Sequence, residues 1–228
     1  MFPSAKTTIR EGDSELIVIL HGLNRTPRAM EKMAVSLAGE GYTVVNLRYR
    51  STDAKIEILA DEVWDAIEPR VSRAEKFHIV THSMGGIVAR AMLEKNAPTN
   101  LSRVVMLAPP NQGSEVTDKL SPWRLYRWVN GPAGDELGTS ENSIFNRLGP
   151  PTYEVGIIAG NRTVNPFFSW LIPGPDDGKV AVERTRLDGM SDFICLPVTH
   201  TWIMRNPSVI GQTRHFLRAG GFQKKEVN

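Results

Sequence analysis

Short, unbroken apolar runs recur along this chain, each followed by a segment of helical period, and this alternation narrows the possible folds more than any other feature. Residues 16–20 (Leu-Ile-Val-Ile-Leu) are continuous and rich in β-branched side chains, the pattern of a strand buried on both faces. Thr26-Pro27 then reads as a helix N-cap followed by proline at the first helical position. Met30, Met33, Ala34, Leu37 and Ala38 share one helical face, and Gly39 and Gly41 end it. The pattern repeats with a strand at 43–47, a helix marked by Ile56, Leu59, Val63 and Ile67 ending near Pro69, a strand at 77–81 and a helix at 85–95. Residues 104–108, 155–159 and 193–198 read as further strands, and Asn206-Pro207 caps a last helix with Val209, Ile210, Phe216 and Leu217 on its inner face. Such alternation predicts an α/β fold, with a mostly parallel central sheet and helices on both of its faces. Reactive groups are then expected just past the carboxyl ends of the strands.

One stretch breaks the rhythm. Residues 113–152 separate two strands and carry Trp123, Tyr126 and Trp128 among several Gly and Pro, so they read as a lid or cap inserted into a single domain spanning 1–228. A length of 228 residues is enough for one domain with one large core.

Composition excludes several classes of function. The net charge is +2 and the basic residues are scattered apart from Lys224-Lys225, unlike the concentrated basic face of a nucleic-acid binder. The single cysteine, Cys195, forbids an internal disulfide. Lys6 and Arg10 are not followed by the apolar stretch of about 7–15 residues of a signal peptide. The run at 16–20 is far short of the roughly 20 residues of a membrane helix. A cytoplasmic chain without stable membrane insertion is expected. No Cys-x-x-Cys or phosphate loop appears, so no metal and no cofactor are expected.

Thr81-His82-Ser83-Met84-Gly85-Gly86 follows one strand and opens the next helix. A serine on a sharp strand-to-helix turn exposes its hydroxyl above the sheet, and the helix N-terminus behind it offers N–H donors to a developing oxyanion. In isolation the motif equally describes a serine N-cap. The strand before it favours a nucleophile. His21-Gly22-Leu23 follows the first buried strand in the same way, so the N–H groups of Leu23 and Met84 are the candidate oxyanion donors.

A nucleophilic serine needs a base, and of five histidines His200 alone stands just past the end of the final strand. His21 and His82 lie in the two turns, His78 lies within a strand, and His215 lies in the last helix. The orienting carboxylate should follow a strand after Ser83. Asp176-Asp177-Gly178-Lys179-Val180 supplies it, with Asp177 preferred to Asp176, although Asp-Gly is also an ordinary turn. Asp188 and Asp192 are weaker candidates. Cys195 sits in an apolar strand and reads as a buried small hydrophobe, not as a second nucleophile.

Together, Ser83 with Gly85-Gly86, the His21-Gly22-Leu23 turn, the Asp177-Gly178-Lys179-Val180 turn and the late His200 resemble the lipase/esterase branch of the α/β-hydrolase family. The resemblance runs from about residue 15 to residue 218 and implies a Ser83–His200–Asp177 triad acting through an acyl-enzyme on a small-molecule ester or acyl substrate. Acyl transfer or thioester hydrolysis would use the same triad, and a binding protein on the same scaffold is the remaining alternative. Pro109-Pro110-Asn111-Gln112-Gly113-Ser114 resembles the lipase segment that leads into a lid. One departure stands out: the family's Gly-x-Ser-x-Gly has Thr81 at its first glycine, where a β-branched side chain crowds the turn. The segment 113–152 and residues 167–172 are expected to form an apolar cover, with Trp123, Trp128 and Phe168 binding substrate.

Overall fold

The protein is represented by a computed structural model that describes residues 6–12, 15–120, 124–139, 143–164, 169 and 172–224. Seven strands form one sheet: β1 (Thr8–Arg10), β2 (Glu15–Leu20), β3 (Thr43–Leu47), β4 (Lys76–His82), β5 (Leu101–Leu107), β6 (Glu154–Gly160) and β7 (Asp192–Leu196), in the order β1-β3-β2-β4-β5-β6-β7. Only β1 is antiparallel, pairing Ile9 with Val45, and every other pairing is parallel.

Helices α1 (Pro27–Ala38), α2 (Ile56–Val71), α3 (Met84–Asn96) and α6 (Pro207–Ala219) cover the sheet, while α4 (Glu115–Leu120) and α5 (Arg124–Asp135) lie between β5 and β6. The pleat explains why the strands had to be apolar on both sides. Leu16, Val18 and Leu20 of β2 enter the core under α2 and α3, with Ile56, Leu59, Val63, Ile67 and Ile87. Their neighbours Ile17 and Ile19 enter the opposite core under α1 and α6, with Met30, Met33, Leu37, Val209 and Phe216. Each of these side chains contributes about 1.5–3 kcal/mol by leaving water, so a one-residue slip of β2 would exchange the two cores and is strongly disfavoured.

Three elements differ from expectation. β1 is too short to announce itself by pattern and exists because it adds to the edge of β3. Helix α2 continues through Pro69 to Val71, so the proline lies inside the last turn instead of ending it. β7 ends at Leu196, and its residues are only partly buried because it is the edge strand, with β6 as its one partner. Cys195 is accordingly half-buried, not buried.

The segment after β5 contains α4, α5 and a 3-10 turn at Ile144–Asn146. It is pinned to the domain: Ile56 N–H donates to Glu136 Oε2 at 2.7 Å and Asn24 Nδ2 donates to Asn130 Oδ1 at 2.9 Å. Gly131, at φ 63° and ψ −170°, brings its backbone so close to the loop after β3 that an added Cβ would stand 1.9 Å from Thr52 O. Among the described residues no helix is long and apolar enough to cross a membrane.

Candidate active site

Ser83 stands between β4 and α3 at φ 53° and ψ −128°. Left-handed backbone is costly for a residue with a Cβ, and it persists only where the surroundings enforce it. Here they do: Ser83 N–H donates to Leu107 O at 2.8 Å, and Ser83 O accepts from Gly86 N–H at 2.9 Å. The neighbouring glycines are required by close approach. A Cβ at position 85 would lie 2.7 Å from His21 O and 2.8 Å from Leu20 O, so the backbones of β2 and α3 touch at this point. The crowding expected from Thr81 is absorbed at position 86, where a Cβ would lie 3.2 Å from Thr81 Oγ1 and 3.1 Å from Pro109 Cβ. Threonine fits because residue 86 has no side chain. Thr81 Oγ1 is nevertheless buried without a hydrogen-bond partner among the described residues.

The structure brings Ser83, His200 and Asp177 into one hydrogen-bonded row. His200 Nε2 is 3.0 Å from Ser83 Oγ, and His200 Nδ1 is 2.7 Å from Asp177 Oδ2. The second oxygen of Asp177 accepts the backbone N–H of Lys179 at 3.0 Å and of Val180 at 2.9 Å. The backbone reinforces the pair, since His200 N–H donates to Asp177 O at 2.9 Å. Asp177 and His200 are 2% and 3% exposed, so their mutual attraction acts with little solvent between them.

The rival residues have other partners. Asp176 Oδ1 accepts Gly178 N–H at 2.7 Å, and Ser169 Oγ donates to Oδ2. Asp192 accepts the N–H groups of Phe193 and Phe222, both at 2.8 Å, and Asp188 is exposed. His215 Nδ1 meets Gly221 O at 2.8 Å, and His78 Nε2 meets Glu15 Oε2 at 3.3 Å at the opposite end of β4. His82 is nearer: its Nε2 donates to His200 O at 3.1 Å, and burial, followed by the charges of His200 and Arg25, keeps its pKa far below the ordinary histidine value.

His21 has been pushed down to about 4 by burial, so it is neutral across the physiological range. It stacks on Tyr49 with ring centroids 4.4 Å apart, and the Tyr49 hydroxyl donates to His21 O. Tyr49 was not singled out from the sequence, although its place two residues past β3, on the same rim, was the available signal. The His21-Gly22-Leu23 turn packs against the elbow, since a Cβ on Gly22 would come within 3.1 Å of Ser83 Cβ. Met84 is the first residue of α3, where helical N–H groups lack an intrahelical acceptor.

A cavity of about 350 Å³ opens over Ser83 and His200. Leu23, Val116, Leu120, Leu137 and Val180 give it apolar walls, three of them from the segment between β5 and β6. Arg25 and Lys179 also line it and were missed as site residues, although each lies two positions from a residue that was singled out. Trp123 and Phe168 lie outside the described residues, and Trp128 falls on α5 with its side chain outside them. Among the described residues no cluster of three His, Cys, Asp or Glu is placed to hold a metal ion.

Comparison with known proteins agrees with this architecture. The mouse (Mus musculus) lysosomal thioesterase PPT2 is 23% identical over 226 aligned residues, covering 84% of this chain and 73% of its own. The mature lipase BlEst2 of Bacillus licheniformis superposes with a TM-score of 0.71 at 20% identity, covering 91% of this chain and 92% of its own. A thermophilic esterase from Thermogutta terrifontis superposes at 0.66 with 16% identity, covering 94% and 93%. The family model for the alpha/beta hydrolase fold matches residues 15–156, which include β2 through β5, the first residues of β6 and the serine elbow. This chain belongs to the alpha/beta hydrolase fold family.

Proposed function

We propose that this protein is a serine hydrolase that cleaves carboxylic esters through an acyl-enzyme. The observation that carries the proposal is the continuous row Ser83 Oγ–His200 Nε2, His200 Nδ1–Asp177 Oδ2, at 3.0 and 2.7 Å. His200 takes the proton of Ser83 as the serine oxygen bonds to the ester carbonyl carbon. The N–H groups of Leu23 and Met84 receive the oxyanion. The imidazolium gives its proton to the departing alcohol as the carbon–oxygen bond breaks, and water repeats the sequence to release the acid. Asp177 holds the proton of His200 on Nδ1, so that Nε2 is the accepting nitrogen.

The segment 113–152 acts in this reading as a cover, because Ser114, Val116, Thr117, Leu120, Asn130 and Leu137 form one side of the cavity above the serine. A small ester or acyl compound is the substrate. A cytoplasmic setting belongs to the same proposal, resting on the single cysteine, although the mouse relative is lysosomal by name. Fractionation of the native host decides between them.

Labelling with a fluorophosphonate, followed by turnover of p-nitrophenyl esters of increasing chain length, tests the reaction. Wild type should be labelled and should hydrolyse esters. Ser83→Ala should do neither, with a loss of up to about a millionfold in turnover. Retention of a tenth of the activity would remove Ser83 from its role. Thioester cleavage is the second reading, favoured by the likeness to the mouse thioesterase. Matched oxygen and sulfur esters of one acid distinguish the two.

A further inference from the structure

The cavity over Ser83 has charge of one sign only. Among the described residues that line it there is no aspartate or glutamate, whereas Arg25 and Lys179 both stand on its wall. Neither forms an ion pair among the described residues. Both are set in place by the loops that build the reacting centre. Arg25 N–H donates to Gly22 O at 3.2 Å, which closes the His21-Gly22-Leu23 turn around Arg25. Lys179 N–H donates to Asp177 Oδ1 at 3.0 Å, so its side chain leaves from the turn that holds the acid. The two positive fields overlap: Arg25 lowers the pKa of Lys179, after the loss of solvation that leads that shift, and both cations help to hold down His82 beside the serine.

Two like charges on the wall of one opening repel each other, and an anion between them relieves that repulsion. The two carboxylates of the turn that carries Lys179 are already engaged, Asp177 by His200 and two backbone N–H groups and Asp176 by Gly178 N–H and Ser169 Oγ. Leu23, Val116, Leu120, Leu137 and Val180 give the cavity apolar walls, and the polar side chains of Asn24, Ser114, Thr117 and Asn130 on it carry no charge. A neutral ester would use those walls and leave the cations unused.

We propose that the substrate of this site is an acyl ester bearing a negative charge, a carboxylate or phosphate received between Arg25 and Lys179 while its apolar part lies against the leucines and valines. The inference rests on the ester-hydrolase reading above and narrows it to anionic substrates. The anion can sit on the leaving group or on the acyl chain, and the two placements are separable by experiment.

Three substrates test it: p-nitrophenyl butyrate, which is neutral; 3-carboxy-4-nitrophenyl butyrate, with the charge on the leaving group; and p-nitrophenyl hemiglutarate, with the charge on the acyl chain. One anionic ester should exceed the neutral ester in kcat/KM by about tenfold at low ionic strength, and the preference should shrink as salt is raised. Whichever ester shows it locates the charge. Arg25→Gln and Lys179→Gln should each reduce the anionic-to-neutral ratio severalfold and together bring it close to one, whereas Arg73→Gln, exposed in the turn that follows α2, should leave the ratio unchanged. A ratio within twofold of one for both anionic esters in wild type, or a preference that survives the double substitution, overturns the inference. Serine-dependent turnover of the neutral ester in that case leaves the hydrolase reading standing. Turnover of none of the three overturns both.

Discussion

Asp177→Asn separates the orientation of His200 from the rest of the site. An asparagine has the shape of the carboxylate it replaces, and its carbonyl oxygen can keep the two backbone bonds from Lys179 and Val180, now 3.0 and 2.9 Å long. Its NH2 group is then directed at His200 Nδ1, which Asp177 Oδ2 faces at 2.7 Å. Two N–H donors cannot meet at that distance, so Nδ1 must become an acceptor and the ring proton moves to Nε2. That nitrogen lies 3.0 Å from Ser83 Oγ and would donate to the serine instead of accepting from it. The same change in a serine protease triad lowers kcat about 10⁴-fold, which is about 5.4 kcal/mol of transition-state stabilisation. The fold should lose only about 1 kcal/mol, the worth of one hydrogen bond. Asp176→Asn is the control in the same turn: its carboxylate meets Gly178 N–H and Ser169, not His200. It should keep turnover within a few-fold while costing a similar amount of stability. Initial rates on a p-nitrophenyl ester, with thermal unfolding alongside, give both quantities. An Asp177→Asn protein retaining more than about a tenth of wild-type kcat, or an Asp176→Asn protein equally impaired, would refute the assignment of the acid.

Three further outcomes are expected. Thr81→Val keeps the shape and removes a buried hydroxyl that has no partner among the described residues; an unsatisfied polar group costs about 1–3 kcal/mol, so Tm should rise by at least about 2 °C, and a fall would mean the hydroxyl is bonded after all. Burial holds His21 at about 4 against the usual 6.5, so the unfolded chain takes up the proton first; the stability this gives is complete above about pH 6.5 and is lost as pH falls toward 4. The urea midpoint should therefore drop between pH 7 and pH 5, and His21→Phe, which keeps a ring against Tyr49, should shrink that drop; an unchanged drop would assign the pH dependence elsewhere. Gly131→Ala meets Thr52 O at 1.9 Å in a conformation open essentially to glycine alone; it should make segment 113–152 markedly more sensitive to protease than wild type, and equal cleavage would show that this contact does not hold the segment down.

Much of this architecture was legible in the sequence because parallel strands must be apolar on both faces. Residues 16–20 and 104–107 could hardly be anything else, and the helices between them carry their inner faces at plain 3.6 spacing. The position of the proposed base was legible for a related reason: His200 is the histidine just beyond the carboxyl end of the final strand, while His78 and His215 sit where the fold turns them away from Ser83. The choice between Asp176 and Asp177 was not. Both occupy one tight turn, and only the direction of each carboxylate, a property of backbone angles, tells them apart. The role of Thr81 was hidden because the residue that accommodates it, Gly86, does so by lacking atoms. β1 was invisible because three residues have no period, and Pro69 misled because a proline within the last turn does not end the helix there.

Ser83 precedes His200 by 117 positions, and the strand that leads to His200 is the last to join the sheet in chain order. During synthesis the elbow of β4 and α3 can therefore form while its proposed base is still unmade. A nascent or prematurely terminated chain would carry a strained serine with no means of deprotonating it. Reactivity would switch on only when β7 docks on β6 and brings the final loop across to the elbow. On the proposed mechanism this would delay any acylation until β7 is in place. In refolding experiments the return of the proposed esterase activity would time the closing of the far edge of the sheet, separately from the earlier return of helical signal.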